Sequence, residues 1–420
     1  MENNNYRNYS RYLVGINKEE LLKHNFDNSK ILNFKGYCLS NSESRLLYGY
    51  EIQVKNTSSH SCNKILKNNL EINNCSQKTL ESSNNDIIPL GLINRNHFCY
   101  MNSVIQSLRN CHEFVNCALS WRLECQKIQI NSSNKDDIKL VSAFFDLIHD
   151  LAYRNIDLLK QTSLVFQNSH ENFPEFAKGE QDADEYLQFL LNKLNDVIKS
   201  NSKGKNKSRC FTFRSKINHQ SKENFVNPKI LNNSFITQLF CGQMNNQLTC
   251  KNCQFKKPSL QVFWVLSVPI MYKNDSENES SLENCVKSLE ISQRVFDHKC
   301  SRCKSTDTMY MSTYVTAWPK YLILNVKRNL QTGNMKNKTL IDWPLNKHLT
   351  ISFNQSLFRY TLLGVIDHIG SVINGHYIAK FRDLNDFNLW WCYNDNCVSE
   401  VKSPNCQIIT GNTTTYFFQR

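Results

Sequence analysis

The stretch GLINRNHFCYMNSVIQSL, residues 91–108, changes character at its cysteine. The residues before Cys99 are polar and turn-prone, whereas after it apolar residues recur on one helical face, at Met101, Val104, Ile105 and Leu108. Cys99 is therefore predicted to begin a helix. Unpaired N–H groups and the positive end of the helix dipole at that position lower the pKa of a thiol and favour the nucleophilic thiolate. A buried structural cysteine is the alternative, so partner groups elsewhere must decide.

The overall composition predicts a folded intracellular protein. The chain has 420 residues, of which 40% are hydrophobic and 21% are charged, enough for a sizeable core. The opening MENNNYRNYS has no apolar core of the signal-peptide kind, and the most apolar run, VFWVLSVPIM, is far shorter than the roughly 20 residues that span a bilayer. We expect a cytoplasmic or nuclear location without membrane association. The seventeen cysteines are then reduced, which leaves metal binding and catalysis as their specialised uses.

The periodicity of the chain divides it into regions. Residues 1–86 are rich in Asn, Ser and Lys without a sustained period, which predicts a mostly disordered extension, with at most a docking segment for an unknown partner. Two further helical stripes follow, at Leu140, Phe144, Leu147, Ile148 and Leu151 and at Leu187, Leu190, Leu191, Leu194 and Ile198. Later segments have strand character: FWVLSVPI, KYLILNVKR, YTLLGVIDHIG, GHYIAKFRD, LWWCYND and TYFFQR. Helices followed by strands predict an α+β fold.

A basic segment separates the helical and strand regions. Between residues 199 and 222 the chain carries eight basic residues and no acidic one, within a net charge of +13. A solvated loop is the preferred interpretation, and binding of an acidic partner or a nucleic acid is the alternative. Because no arginine-rich helix or recognised nucleic-acid module accompanies the charge, we do not expect nucleic acid as a partner.

Two cysteine pairs have the spacing of metal ligands. LTCKNC contains Cys250 and Cys253, HKCSRC contains Cys300 and Cys303, and 46 residues lie between the pairs. Two thiolates three positions apart on a tight turn can bind one ion, and two such turns together form a closed tetrahedral zinc site. A closed site is structural, so one Zn²⁺ is predicted to clamp distant parts of the chain. Accidental pairing among the many cysteines is the alternative.

Partners for the thiol occur near the end of the chain. His376 in GSVINGHYIAKF follows small residues and a turn and begins a strand, and it is the best candidate base, although a strand histidine can be merely structural. About eighteen residues later, Asn394 and Asp395 could accept the imidazole N–H from a returning hairpin. Asn94, five residues before Cys99, could complete an oxyanion hole or be a plain turn residue. Cys, His and a carboxamide or carboxylate are the components of a thiol acyl-transfer site.

These segments together resemble the ubiquitin-specific proteases, which are papain-like deubiquitinating cysteine peptidases. The quoted stretch at 91–108 resembles the family's cysteine box, and GEQDADEYLQFLL resembles the acidic segment after it. LFCGQMNNQLTCKNC with HKCSRC resembles the zinc-bearing fingers, and WPKYLILNVKRN resembles the region before the histidine box. GVIDHIGSVINGHYIAKF and WWCYNDNCVSEV resemble that box itself. The match covers about 87–420, with every motif in the family's order.

The resemblance implies an architecture of thumb, palm and zinc-bearing fingers. A catalytic domain at 87–420 would divide into a thumb at about 87–200, a basic loop at about 199–229, fingers at about 235–315 and a palm at about 316–420.

The resemblance also assigns roles to single residues. Cys99 would be the nucleophile, His376 the general base and then acid, Asn394 the residue that orients the imidazole, and Asn94 the oxyanion residue. Asp395 would help to polarise the site. Asp182 and Glu185 match carboxylates that hold the basic tail of ubiquitin in the family. The implied activity is hydrolysis of the isopeptide or peptide bond after the C-terminal glycine of ubiquitin, acting on ubiquitin and ubiquitinated proteins.

The chain departs from the family pattern at several positions. Arg95, Asn96, His97 and Phe98 replace the usual glycine and small or polar residues before the cysteine. Asn96 adopts a positive φ more readily than most residues and would preserve the turn. Glu180 replaces a frequent Gln, and Asn329 replaces a common aromatic residue. A catalytically silent ubiquitin-binding scaffold, with the thiol misplaced by the altered turn, is the alternative function.

Overall fold

The computed structural model describes residues 88–95, 97–125, 135–177, 179–201, 234–273, 276–329, 336–343, 345–353, 356–372 and 374–420. The predicted extension at 1–86 and nearly all of the predicted basic loop lie outside the described residues, so both stay predictions. All described residues belong to one compact unit, Asn85–Arg420.

The first part of this unit is helical, as the apolar stripes predict. Its helices are α1 (Cys99–Arg109), α2 (His112–Cys125), α3 (Lys135–Ala152), α4 (Ile156–Asn168), α5 (Pro174–Ala177), α6 (Ala183–Asn201) and α7 (Phe235–Phe240). The stripes of α1, α3 and α6 are all buried in one hydrophobic core, which confirms the three predicted faces. Helix α6 continues to Asn201, so Lys199 belongs to its last turn rather than to a loop.

The second part begins with a polar sheet. Its strands are β1 (Gly242–Cys250), β2 (Lys256–Lys257), β3 (Leu260–Phe263), β7 (Gln293–Val295) and β8 (Met309–Ala317), in the order β2-β1-β8-β7 with β3 also paired to β1. Strands β1 and β8 were not predicted from the sequence, because their half-buried polar residues lack the alternation of a typical strand. Pairing of Cys250 with Met309 places both cysteine pairs at one end of this sheet.

A small mixed sheet, with one parallel and one antiparallel strand pair, is the second of the three sheets. It contains β5 (Tyr272–Lys273), β6 (Ser276–Ser281) and β10 (Leu340–Asp342), in the order β10-β6-β5. Helix α8 (Leu282–Lys287) and a short 3₁₀ helix (Ser288–Glu290) continue directly from β6.

The largest sheet has the order β15-β14-β13-β12-β16-β9-β4, with β11 paired to β12. Its strands are β4 (Leu266–Pro269), β9 (Tyr321–Lys327), β11 (Leu349–Phe353), β12 (Ser356–Gly370), β13 (Gly375–Arg382), β14 (Trp390–Asn394), β15 (Cys397–Glu400) and β16 (Thr413–Gln419). The short helix α9 (Pro404–Gln407) precedes β16. Every strand-like segment of the sequence overlaps a strand of this sheet. The α+β architecture of helical thumb, sheet palm and fingers is thereby confirmed.

Helix α1 lies between the two parts. It packs against α6 on one side and against β12, β13 and β14 on the other. Every residue from Cys99 to Leu108 is buried, including polar Asn102 and Gln106. This placement brings the start of α1 beside the strands that carry His376 and Asn394. Within the described residues, no helix combines the length and apolar character needed to cross a bilayer.

Candidate active site

The cysteine of the altered turn stands where the sequence predicts it. Cys99 is the first residue of α1 and is only 4% exposed. His97 has φ 62°, so a histidine supplies the left-handed residue of the turn, whereas Asn96 lies outside the described residues. The backbone N–H of Phe98 donates to Asn94 Oδ1 over 2.9 Å, which closes the turn. The turn is therefore formed despite its unusual sequence.

The bulky residue beside the nucleophile belongs to the hydrophobic core of the helices. Phe98 is 4% exposed, and its ring meets Tyr100 edge to face with the centroids 6.3 Å apart. Such aromatic pairs stabilise beyond their buried area. Phe98 thus anchors the start of α1.

The predicted base faces both of its predicted partners. His376 Nε2 lies 2.7 Å from Asn394 Oδ1, and the side chain of Cys99 is close enough to raise the pKa of the same ring. Because Nε2 of His376 faces the carboxamide of Asn394, Nδ1 is the ring nitrogen that can interact with the sulfur of Cys99. Burial lowers the pKa of His376, but the interactions with Cys99, Asn394 and the charge of Asp395 outweigh it and raise the pKa to about 9. The imidazolium is thus favoured beside the sulfur at neutral pH.

Asp395 supports the segment before the nucleophile. Its Oδ1 accepts from Asn102 Nδ2 over 2.8 Å, its Oδ2 accepts from Asn94 Nδ2 over 3.0 Å, and its carbonyl accepts from the N–H of Leu92 over 2.8 Å. Its Oδ2 is 3.8 Å from His376 Nε2, which is longer than a hydrogen bond. Asp395 therefore adds negative charge near the imidazole but does not replace Asn394 as its partner.

The amide of Asn94 is oriented by two contacts. Its Oδ1 accepts from Phe98, and one Nδ2 hydrogen points to Asp395. An amide nitrogen carries two hydrogens, so a second remains for another acceptor. The predicted oxyanion role of Asn94 stays a prediction.

The glycine before the histidine is required by close packing. A Cβ at Gly375 would clash with the ring of His368, which stacks on Tyr377 with the centroids 4.3 Å apart. The hydroxyl of Tyr377 donates to Asp182 Oδ2 over 3.4 Å. This contact joins β13 to the start of α6, across the space in front of Cys99.

A cleft of about 360 Å³ opens beside Cys99. Its lining combines an acidic wall of Glu180, Asp182, Asp184 and Glu185 with the basic residues Lys327, Arg328 and Lys336. Both predicted substrate-binding carboxylates thus line the cleft. The sequence did not indicate that Asp184 also lines the cleft, because nothing in the run of acidic residues distinguishes the residue whose Oδ1 becomes buried.

Glu180 joins the two sides of the site. Its Oε1 is 3.5 Å from His97 Nδ1, and its Oε2 accepts from the N–H of Gly375 over 3.4 Å. It therefore contacts the segment before the nucleophile and the strand that carries the base. Glu180, which replaces a Gln that is frequent in the family, therefore lies within the candidate active site.

The four predicted metal ligands converge at the end of the finger sheet. The sulfurs of Cys250, Cys253, Cys300 and Cys303 all lie within 4.8 Å of one another, and two Sγ–Sγ pairs are 3.7 Å apart. Tetrahedral coordination with Zn–S bonds of about 2.3 Å requires sulfurs about 3.8 Å apart. The donor set therefore fits one tetrahedral metal ion.

The two cysteine turns have the same backbone design. Residues Gln254 and Lys304 follow the second cysteine of each pair with φ 56° and 63°. The N–H of Gln254 donates to the carbonyl of Cys250, and that of Lys304 donates to the carbonyl of Cys300. A hydrogen bond with Thr308 lowers the pKa of Cys250 to about 5, which favours the thiolate that a metal needs.

Comparisons with known proteins agree with this geometry. Residues 90–418 match the family described as "Ubiquitin carboxyl-terminal hydrolase". The Drosophila melanogaster protein "Ubiquitin carboxyl-terminal hydrolase Usp2" is 28% identical over 351 residues, which cover 79% of this chain and 34% of that protein. The Homo sapiens protein "Ubiquitin carboxyl-terminal hydrolase 2" is 27% identical, with coverage of 78% and 54%. This chain thus spans 34% and 54% of the lengths of these two relatives.

A solved structure shares the fold. It is described as the SAGA Ubp8/Sgf11/Sus1/Sgf73 DUB module bound to ubiquitin aldehyde, and it matches with a TM-score of 0.60 at 20% identity, covering 85% of this chain and 75% of that chain. The resemblance to ubiquitin-specific proteases is confirmed by these matches. Because the family match extends over most of its length, the chain belongs to the ubiquitin carboxyl-terminal hydrolase family.

Proposed function

We propose that the protein is a deubiquitinating cysteine peptidase, which cleaves the isopeptide or peptide bond after the C-terminal glycine of ubiquitin. The observation that carries this proposal is the position of His376, which hydrogen-bonds Asn394 on one side and lies close enough to Cys99 for the thiol to raise its pKa. A thiol nucleophile, a base beside it and a group that orients the base are the components of a thiol acyl-transfer site. The family membership and the ubiquitin aldehyde named with the related solved structure support ubiquitin as the substrate.

The geometry supports a two-step reaction. The Cys99 thiolate attacks the glycine carbonyl carbon, and the carbonyl π electrons move to oxygen to form the oxyanion. The free N–H of Asn94 and the Cys99 backbone N–H stabilise that oxyanion. As it collapses, the C–N bond breaks and His376 protonates the leaving amine, which leaves a thioester. His376 then takes a proton from water as the water oxygen attacks the thioester carbonyl; the C–S bond breaks, the carboxylic acid leaves, and the Cys99 thiolate and the His376 imidazolium are restored.

The cleft explains the choice of substrate end. A diglycine terminus, which has no side chains, suits the narrow cleft beside Cys99. The acidic wall, including Asp182 and Glu185, suits the basic residues that precede the diglycine. The rest of ubiquitin would be recognised over a broad surface of fingers and palm.

The four-cysteine cluster is proposed to hold one structural zinc ion. Four sulfur ligands close the coordination shell, so the ion would stabilise the fingers and take no part in the hydrolysis. A cytoplasmic or nuclear location is proposed as well, since thiolates of this kind need a reducing environment.

A ubiquitin derivative with an electrophile at its C-terminus tests the function. The wild-type protein should form a covalent adduct, and Cys99→Ser should form none. Tight ubiquitin binding without an adduct would instead favour the silent scaffold. Parallel reactions with ubiquitin-like modifiers would define the selectivity.

A further inference from the structure

The end of the finger sheet that carries the four cysteines is strongly basic. This finger tip comprises residues 250–257 and 294–310. Its seven lysine and arginine side chains are all exposed, namely Lys251, Lys256, Lys257, Arg294, Lys299, Arg302 and Lys304. Its only carboxylates belong to Asp297 and Asp307, which leaves a net charge of +5 before the cysteines are counted. Zinc held by four thiolates would contribute −2 from within, so the surface of the tip stays positive.

The protein itself does not neutralise this charge. Among the described residues, none of the seven cations forms an ion pair with a carboxylate. Asp307 serves the local loop, since its Oδ1 accepts the N–H of Asp297 over 3.3 Å and its carbonyl accepts from Arg294 Nε over 3.1 Å. A surface of one sign attracts partners of the opposite sign. The finger tip is therefore suited to a polyanion.

Strand pairing arranges part of the charge in a row. Thr249 of β1 pairs with Lys256 of β2 on one side and with Tyr310 of β8 on the other, and Tyr310 pairs with Arg294 of β7. Directly paired residues point to the same face of a sheet, so both cations flank Tyr310 on one face. Three strand spacings separate the outer two residues by about 14 Å.

Aromatic rings lie among these cations. Lys251 Nζ is 4.0 Å from the centre of the Tyr310 ring, and the guanidinium of Arg294 is 5.0 Å from the centre of the Phe296 ring. Phe296 is 47% exposed, so its ring is open to solvent and to a partner. The tip thus combines unpaired cations with accessible aromatic rings.

The side-chain types favour a nucleic acid over an acidic polypeptide. Five of the seven cations are lysines, which bind phosphate as point charges, whereas recognition of carboxylates favours the bidentate fork of arginine. Rings beside cations are the elements that hold single strands, because bases stack on the rings while phosphates pair with the cations. A duplex would leave the rings unused, since its bases are already stacked.

We propose that the finger tip is a binding surface for single-stranded nucleic acid, with its lysines at the phosphates and Tyr310 and Phe296 beside the bases. This partner is additional to ubiquitin, and the inference does not depend on hydrolysis. From the sequence we expected no nucleic acid, because the cations are spread over separate segments between residues 251 and 304. The strand pairs and the two cysteine turns bring them together.

Fluorescence anisotropy on the zinc-loaded full chain tests the proposal. The probe is a labelled oligonucleotide of about 20 nucleotides, longer than the site of one small binding module, and DNA and RNA strands are compared. A triple variant with Lys251→Glu, Arg302→Glu and Lys304→Glu should bind at least about tenfold more weakly at about 0.1 M salt. The slope of log K against log salt concentration should become shallower by about 2, since each phosphate contact on a single strand contributes about 0.7.

Two further variants separate position from total charge. Lys203→Glu, Lys205→Glu and Lys207→Glu together make the same charge change in the basic segment 199–222 and should retain most of the affinity. Phe296→Leu removes an exposed ring at constant charge and should weaken binding at least about fivefold without changing the salt slope. Zinc content and electrophile labelling of Cys99 show that each variant is folded.

The alternative partners give distinct results. Equal losses in the two triple variants would show that total charge holds the strand, and would overturn the role of the tip. Equally tight binding of duplex DNA, displacement of the strand by polyglutamate at matched charge, or no binding by wild type would also overturn it. Labelling of Cys99 is measured separately, so loss of this inference leaves the peptidase intact, and failure of labelling leaves the finger tip as a binding surface.

Discussion

Asn94 donates to Asp395 over 3.0 Å, although 301 positions separate the two residues in the sequence. The contact joins the turn before the nucleophile to the hairpin that carries the partner of the base. Asn102 adds a second amide to the same carboxylate from within α1. The alignment of Cys99 and His376 therefore depends on a partly buried polar network as well as on the helix and the sheet.

Asp395 and its neighbour Asn394 should have separable effects. Asp395→Ala would leave one N–H of Asn94 without its acceptor and would remove the shortest hydrogen bond of the Asn102 amide, so we expect it to lower the free energy of unfolding by about 1–3 kcal/mol. Asn394→Ala removes only the hydrogen bond to His376, so it should slow electrophile labelling at least tenfold with little change in stability. The free energy of unfolding is measured for both variants in urea, and the rate of covalent labelling of Cys99 is measured with the ubiquitin electrophile. Equal stability losses in the two variants would contradict the division of roles.

The pH dependence should reflect the raised pKa of His376. The imidazolium that protonates the leaving amine persists up to a pKa of about 9, so kcat/KM should fall above about pH 9. Asn394→Ala removes one cause of the raised pKa and should shift that decline to lower pH. Because the folded pKa exceeds the unfolded value of 6.5, the stability contributed by His376 is complete below pH 6.5 and is lost as the pH rises through 9. A pH–rate profile unaffected by Asn394→Ala would contradict the assignment.

Replacement of Asp184 should stabilise the free protein. Its pKa of about 7 lies above the usual 3.8, so its ionisation penalises folding increasingly from pH 3.8 to 7. Asp184→Asn removes that charge, and we expect a gain of about 1–3 kcal/mol at pH 7.5 and none near pH 3.5. Urea unfolding at both pH values measures the effect, with Asp157→Asn, at an exposed position on α4, as the control. A loss of stability at pH 7.5 would show that the carboxylate already has a favourable partner.

The metal should be structural. Zinc analysis should find about one ion per chain, and Cys250→Ser should lower both the zinc content and the thermal stability of the protein. Cys99 should still react with the electrophile, because the cluster belongs to a separate small core at the end of the finger sheet. Cys406→Ser, at an exposed cysteine outside the cluster, should retain the zinc. A folded wild-type protein without bound metal would contradict this assignment.

The features that the sequence alone determined are those with a local physical signal. The stripes of α1, α3 and α6 follow helical spacing, so their buried faces are predictable. The cysteine turns depend on residues only three positions apart, and the order of the motifs identifies the family. The start of α1 at Cys99 depends on the contrast between a polar turn and an apolar stripe.

The features that only the tertiary structure decided depend on which distant segments meet. β1 and β8 are strands because they pair with each other, although their polar residues carry little periodic signal. His97 adopts a left-handed backbone conformation that the sequence did not indicate, while Asn96, for which it did, lies outside the described residues. Asp184 and Asp182 stand two positions apart in one acidic run, yet the fold buries one oxygen of Asp184 and surrounds Asp182 with donors. Burial and hydrogen-bond partners are properties of the assembled cleft, so no local pattern of residues contains them.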